Sequence, residues 1–179
     1  MDIEDHLFKN IKFLKSPNFN ERPNEENISL IVIHCISLPP KKYGNDYVEK
    51  FFLNELCISD HEYFNKIKDL KVSPHLYIKR DGEIIQFIPF NKRAWHAGIS
   101  NYKGEKDCND FSIGIELEGS VDDIYENEQY ESLVMVTKAL IEQYDLINKE
   151  RIAAHSEIAP ERKTDPGEYF DWKKYLNNV

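Results

Sequence analysis

Apolar residues in this chain gather into short blocks separated by polar stretches, and the spacing inside each block indicates its element. Ile28 to Ser37 is almost continuously apolar and largely β-branched. A run of strand length without polar alternation predicts a central strand covered on both faces, and Pro39-Pro40 ends it. Beyond Asn45, a candidate cap, Val48, Phe51, Phe52 and Leu56 recur at helical spacing. Asp60 is a candidate cap for another short helix carrying Tyr63, Phe64 and Ile67. His75–Lys79 and Ile84–Ile88 flank Arg80-Asp81-Gly82-Glu83, the signature of a hairpin over Pro74–Ile88. Phe111–Glu118 alternates like a strand and meets Gly119. The longest helix is expected over Glu128–Tyr144, with Tyr130, Leu133, Val134, Thr137, Leu140, Ile141 and Tyr144 on one face. A short strand over Arg151–His155, a loop over Ile158–Gly167 and a final helix over Tyr169–Leu176 complete the pattern. Residues 1–27, with Pro17 and Pro23, read as loops with one short helical turn. Strands interleaved with helices, plus one hairpin, predict an α/β fold: a single domain over 1–179 with a central mixed β-sheet flanked by helices.

Composition narrows the class. The chain's 179 residues are 41% hydrophobic and include 10 Phe, 10 Tyr and 2 Trp, enough for a core and unlike a disordered chain. Seven Gly and eight Pro exclude collagen-like architecture, and no apolar run is long enough to span a bilayer. The first residues, Met1-Asp2-Ile3-Glu4-Asp5-His6, are acidic and do not read as a secretory leader. Cys35, Cys57 and Cys108 form no Cys-x-x-Cys pair, and an odd count reads as reduced thiols in a cytoplasmic setting. A formal charge of −9 disfavours nucleic acid as a partner but says nothing against a locally basic pocket.

The chemistry-bearing candidates lie at strand ends. His34 comes late in the first long strand, His155 ends the last one, and Asp165 follows in a loop pinned by Pro166. Two His and one carboxylate with a fourth position open are a common composition for catalytic zinc; the alternative is a pair of structural histidines. Glu116 sits in an apolar strand on the face shared by Gly114 and Glu118, as a solvated edge residue or as a base with a raised pKa. Lys163, two residues before Asp165, is either an oxyanion stabiliser or a surface lysine. Trp95-His96, before Ala97-Gly98, reads as core aromatics or as a sugar-stacking platform. Cys35 follows His34, faces the opposite side of the strand and is excluded as a ligand to the same metal.

Five stretches occur in one order: Ile31–Pro40, Lys79-Arg80-Asp81-Gly82, Arg93–Gly98, Cys108–Gly119 and Ile158–Gly167. Together they resemble the AmpD-type 1,6-anhydro-N-acetylmuramyl-L-alanine amidases. These are the cytoplasmic members of the zinc N-acetylmuramoyl-L-alanine amidase family, which is related to phage amidases and peptidoglycan recognition proteins. The resemblance runs from about Arg22-Pro23 to Trp172. It implies a peptidoglycan-recognition-protein-like fold and one zinc ion held by His34, His155 and Asp165. Glu116 would be the catalytic acid/base and Lys163 the transition-state stabiliser. The implied substrate is a small soluble muropeptide, contacted by Trp95, His75 and Lys71, with no nucleic acid, membrane or obligatory protein partner. Lys71 and Asp107 stand where the family carries arginine. Lysine keeps the charge without the bidentate fork, and Asp107 inverts it. A binding module that has lost its metal would lack a ligand, and no ligand is missing here. An exported lytic amidase would carry a leader.

Overall fold

A computed structural model describes residues 1–179. In chain order its strands are β1 (Ile3–Glu4), β2 (Leu7–Phe8), β3 (Lys12–Phe13), β4 (Phe19–Glu21), β5 (Leu30–Ile36), β6 (Leu76–Ile78), β7 (Ile84–Gln86), β8 (Lys92–Ala94), β9 (Asn101–Tyr102), β10 (Glu105–Lys106), β11 (Ser112–Glu118) and β12 (Ile152–Ala154). The α-helices are α1 (Tyr47–Phe52), α2 (Asn127–Gln143), α3 (His155–Ile158) and α4 (Trp172–Asn178). Six strands form the main sheet in the order β12-β5-β11-β6-β7-β3. Its centre is parallel, and the one antiparallel pair is the expected hairpin β6–β7. The mixed α/β sheet is therefore as its strand pattern predicts.

The apolar blocks earn their central place by burying both faces. Ile31, Ile33, Ile113, Ile115 and Leu117 point to one side, where Tyr130, Leu133, Val136 and Leu140 of α2 and Tyr175 of α4 close the larger core. On the other side, Leu30 and Val32 meet Ala97, Phe111, Ala153 and Ile158. A third cluster, around Phe52, Phe64, Tyr77 and Phe87, fills the space under α1. Because side chains alternate along a strand, His34 shares its face with Leu30 and Val32 and points away from α2.

The structure departs from periodicity where polar groups decide the path. The first 27 residues contain four short strands and no helical turn; β3 extends the sheet edge and β4 pairs with β8. What holds this segment is long-range hydrogen bonding. Asn18 donates to the carbonyls of Phe52 and Val72. Arg22, only 5% exposed, donates to the carbonyls of Phe90, Asn109, Asp110 and Ser112. Burial lowers the Arg22 pKa to about 10. Helix α1 stops at Phe52 instead of reaching Leu56, and the Asn45 carboxamide accepts from Tyr47 N–H just ahead of it. Residues 58–66 make two 3₁₀ turns; the second is capped by the His61 ring and not by Asp60. Helix α4 starts at Trp172, where the Asp171 carboxylate accepts from Lys174 N–H. The pairs β4–β8 and β9–β10 had no periodic signal. No helix is long and apolar enough to cross a membrane.

One polar clamp shapes the surface above the sheet. Glu118, buried at the end of β11, accepts from Gly44 N–H at 2.6 Å and from Arg80 N–H at 3.0 Å. It thereby ties the segment after β5 to the hairpin turn. Arg80 stacks its guanidinium 4.6 Å over the Tyr43 ring, and Lys41 pairs with Asp122 on the far side. Glu118→Ala leaves two amides without their charged acceptor, and hydrogen bonds to charged groups contribute about 1.5–3 kcal/mol each. Urea unfolding is expected to show a loss of about 3 kcal/mol or more; wild-type stability would mean that the carboxylate does not hold this wall.

Candidate active site

Strand register builds the site. β5 and β11 run parallel with His34 opposite Glu116, so both side chains leave the same face as neighbours. On the other flank of β5, Ala154 of β12 lies opposite Ile33, and the chain turns directly from β12 into α3. His155, the first residue of α3, therefore arrives beside His34. The following loop folds back: Arg162 and Lys163 N–H both donate to the Ala159 carbonyl, and Ser156 N–H donates to the Asp165 carbonyl at 3.0 Å. That return delivers the Asp165 carboxylate to the two imidazoles.

Three donor atoms converge there. His34 Nδ1 and His155 Nδ1 are 2.8 Å apart, His155 Nδ1 and Asp165 Oδ2 2.9 Å, and His34 Nδ1 and Asp165 Oδ2 3.3 Å. These three residues form a group able to hold a metal ion. Zinc-to-ligand distances of about 2.0–2.2 Å in a tetrahedral site require ligand atoms about 3.3–3.6 Å apart; the His34–Asp165 separation meets that, and the two separations to His155 Nδ1 are shorter. The chemistry of the set agrees. His155 Nε2 faces the Ala97 carbonyl at 3.2 Å and must donate to it, which leaves Nδ1 as a bare lone pair. Burial, reinforced by the neighbouring His155, lowers the His34 pKa to about 4 and favours the neutral ring that a metal needs. Cys35, packed against the α2-side core, is outside the donor set, and burial pushes its thiol up to about 12.

Glu116 is the acid next to this group but not in it. Its Oε2 is buried with no hydrogen-bond partner in the protein. Desolvation, then the nearby Asp165 charge, raises its pKa well above the ordinary value, and Lys163 opposes them. Glu116, Lys163, His155 and Asp165 all line one cleft of about 360 Å³. Its opposite wall is apolar: Leu38, Phe51, Tyr63, Ile67, Leu70 and Val72. Trp95 lines the same cleft, held by a 2.7 Å bond from its indole N–H to Asn20 Oδ1.

Three further expectations fare differently. His75 is not at the cleft: it is fully buried, its Nδ1 accepts from Gly114 N–H, and its Nε2 donates to the Lys92 carbonyl. Those bonds make it an interior strut between β11 and β8 instead of a substrate contact. Lys71 is exposed and lines a shallower neighbouring groove with Leu70 and Ile67, outside the main cleft. Asp107 is exposed at a left-handed turn with φ +58°, its N–H bonded to the Ser100 carbonyl, and does not line the cleft. The sequence reading missed Asn109, whose side-chain oxygen accepts from both His96 and Ala97 N–H and fixes the loop that frames the site. A buried Asn in a 3₁₀ turn leaves no periodic signal.

A mixed α/β sheet carrying a metal-capable His-His-Asp group, with a desolvated glutamic acid and a lysine in the same cleft, defines a hydrolase-type centre. Residues 24–168 match the family described as N-acetylmuramoyl-L-alanine amidase, and the chain belongs to that family of amide hydrolases. It is 49% identical over 178 residues to the 1,6-anhydro-N-acetylmuramyl-L-alanine amidase AmpD of Haemophilus influenzae, covering 99% of this chain and 97% of that one. A crystal structure of a selenomethionine AmpD derivative superposes with a TM-score of 0.97 at 46% identity, covering 100% of this chain and 99% of the other. The Escherichia coli amidase AmiD, in complex with anhydro-N-acetylmuramic acid-L-Ala-D-γ-Glu-L-Lys, matches at TM-score 0.63 and 30% identity, covering 85% of this chain and 57% of that one.

The raised Glu116 pKa has a consequence for stability. A carboxyl whose folded pKa lies above its unfolded value binds more protons when folded, so its contribution falls as pH rises between the two values. In metal-free protein, Glu116→Gln is expected to be more stable than wild type at pH 7, with the difference closing below the ordinary carboxylate pKa of about 4.3. Urea midpoints across that range test it; a pH-independent difference would contradict the desolvated carboxyl.

Proposed function

We propose that this chain hydrolyses the amide between the lactyl group of 1,6-anhydro-N-acetylmuramic acid and L-alanine in small soluble muropeptides, as a step of peptidoglycan recycling. In this reading one zinc ion would be held by His34, His155 and Asp165. The observation that carries it is the convergence of three metal-capable donors beside an unpartnered, desolvated glutamic acid. The near full-length likeness to an AmpD and the muropeptide held by AmiD support the choice of substrate. Three unpaired cysteines support a reducing, cytoplasmic setting.

Bound there, zinc would supply Lewis acidity and a lowered pKa for water. Glu116 takes a proton from the attacking water as its oxygen adds to the lactyl carbonyl carbon. The same carboxyl then delivers that proton to the alanine nitrogen as the carbon–nitrogen bond breaks, leaving a carboxylic acid, which keeps the water's second proton, and a free amine. A raised pKa suits a group that must hold the proton between those moments. Lys163 offers its ammonium to the negative charge that develops on the carbonyl oxygen. Trp95 presents an aromatic surface to the sugar, and the apolar wall keeps bulk water away from the reacting atoms.

The test combines metal analysis with mass-spectrometric assay on an anhydro-muropeptide and on intact peptidoglycan. The wild type is expected to hold one zinc and to release free peptide from the soluble substrate in preference to the polymer. His155→Ala should lose zinc and turnover while remaining folded. Glu116→Gln should keep its zinc and lose turnover by about 100-fold or more. Lys163→Met should lower kcat more than it raises KM. Preference for intact wall would identify a lytic amidase instead, and wild-type kinetics in Glu116→Gln would remove Glu116 from the chemistry.

A further inference from the structure

The nitrogen that His34 presents to Asp165 depends on where the ring keeps its hydrogen, and a chain of three side groups determines that. Ser112 Oγ lies 2.5 Å from the Cys108 carbonyl, which can only accept, so the hydroxyl hydrogen is committed there. Toward His96 Nε2, 3.2 Å away, Ser112 Oγ is then an acceptor, and His96 carries its hydrogen on Nε2. In a neutral ring this makes His96 Nδ1 a lone pair, 2.9 Å from His34 Nε2. Only His34 can supply the hydrogen between them. His34 therefore keeps it on Nε2 and turns a bare Nδ1 toward His155 and Asp165.

The His96 ring is seated for this purpose by the fold itself. It lies directly on Gly114 of β11, where a Cβ would come within 2.4 Å of the His96 Cγ. The Asn109 side chain anchors the backbone amides of His96 and Ala97 at 3.1 and 2.8 Å. The ring meets His34 edge-on, with centroids 5.0 Å apart and planes at 89°. An ordinary side chain at position 114 and this ring cannot occupy the same space.

We infer that His96 is a positioning residue: by accepting a hydrogen bond from His34 Nε2, it fixes which nitrogen of His34 faces the metal position, with Gly114 as its seat and Ser112 as its anchor. The inference rests on the proposed role of His34 as a ligand. Outer partners of ligating histidines are worth about 10–100-fold in metal affinity, which sets the scale of the effect. His96→Leu fills the ring's place without an acceptor, His96→Asn puts an oxygen close to where Nδ1 was, and Gly114→Ala displaces an intact His96.

Two measurements on the purified full chain decide it. Competition with a chromogenic chelator gives zinc affinity without reference to turnover, and long-range ¹H–¹⁵N spectra of the metal-free protein report which nitrogen of His34 is protonated. Zinc affinity is expected to fall by about 10–100-fold in His96→Leu and Gly114→Ala and to return most of the way to wild type in His96→Asn. His34 is expected to be protonated at Nε2 in wild type and His96→Asn, and to mix tautomers in His96→Leu. Wild-type zinc affinity in His96→Leu, an unchanged His34 tautomer in that variant, or failure of His96→Asn to restore binding would each overturn the inference. Wild-type protein that takes up no zinc would refute the metal reading instead, and the tautomer spectra would still decide the role of His96.

Discussion

The site depends on the parallel register of β5 and β11, which sets His34 opposite Glu116. A slip of one residue along either strand would turn one of the two side chains to the face packed against α2. The register is secured by what lies beneath: Ile31, Ile33, Ile113, Ile115 and Leu117 are all essentially inaccessible, and a one-residue slip of β11 would exchange its three apolar side chains for Gly114, Glu116 and Glu118. Hydrophobic burial on one face of the sheet thus determines chemistry on the other. The third strand in this arrangement, β12, needs only a short pairing with β5, because the turn into α3 places His155 at once.

Desolvation is the second half of the account. The same enclosure that leaves Glu116 unpartnered and raises its pKa brings two imidazoles and a carboxylate into contact. In a water-filled groove the glutamate would titrate as an ordinary carboxyl, and the donor atoms would be solvated separately. Glu118, on the same strand face, has the opposite fate because two backbone N–H groups meet its oxygens. Two glutamates two residues apart are thereby given different tasks, one bonded to two backbone N–H groups that join neighbouring segments and the other left with an unpartnered oxygen at the cleft.

Much of this was legible in the sequence, for identifiable reasons. The continuous apolar run of β5, the alternation of β11 and the Asp-Gly turn between β6 and β7 are local signals, and each element forms where its signal lies. His34, His155, Asp165, Glu116 and Lys163 stand out because a strand end or a pinned loop presents a polar side chain at a sheet edge; the fold brings the last four to one cleft and buries His34 directly against His155 and Asp165. Residues whose role depends on distant partners were not legible in this way. Arg22 bonds carbonyls some seventy to ninety positions away, and His75 looked available in the sequence because nothing local shows Gly114 and Lys92 closing on its ring. Trp95-His96 reads in the sequence as core aromatics or as a platform; both line the cleft, and His96 in addition bonds the His34 ring, a coupling across 62 positions that no local pattern shows.

The central claim is that strand register and the turn after β12 create one metal position bounded by His34, His155 and Asp165, with Glu116 adjacent and not coordinating. Diffraction from zinc-loaded crystals on either side of the zinc absorption edge tests it most directly. The account predicts one strong anomalous peak within about 2.0–2.2 Å of His34 Nδ1, His155 Nδ1 and an Asp165 carboxylate oxygen, with the Glu116 carboxyl facing the cleft beside it. A peak that takes Glu116 as a ligand, that binds His34 through Nε2, or that lies away from these three residues would contradict it.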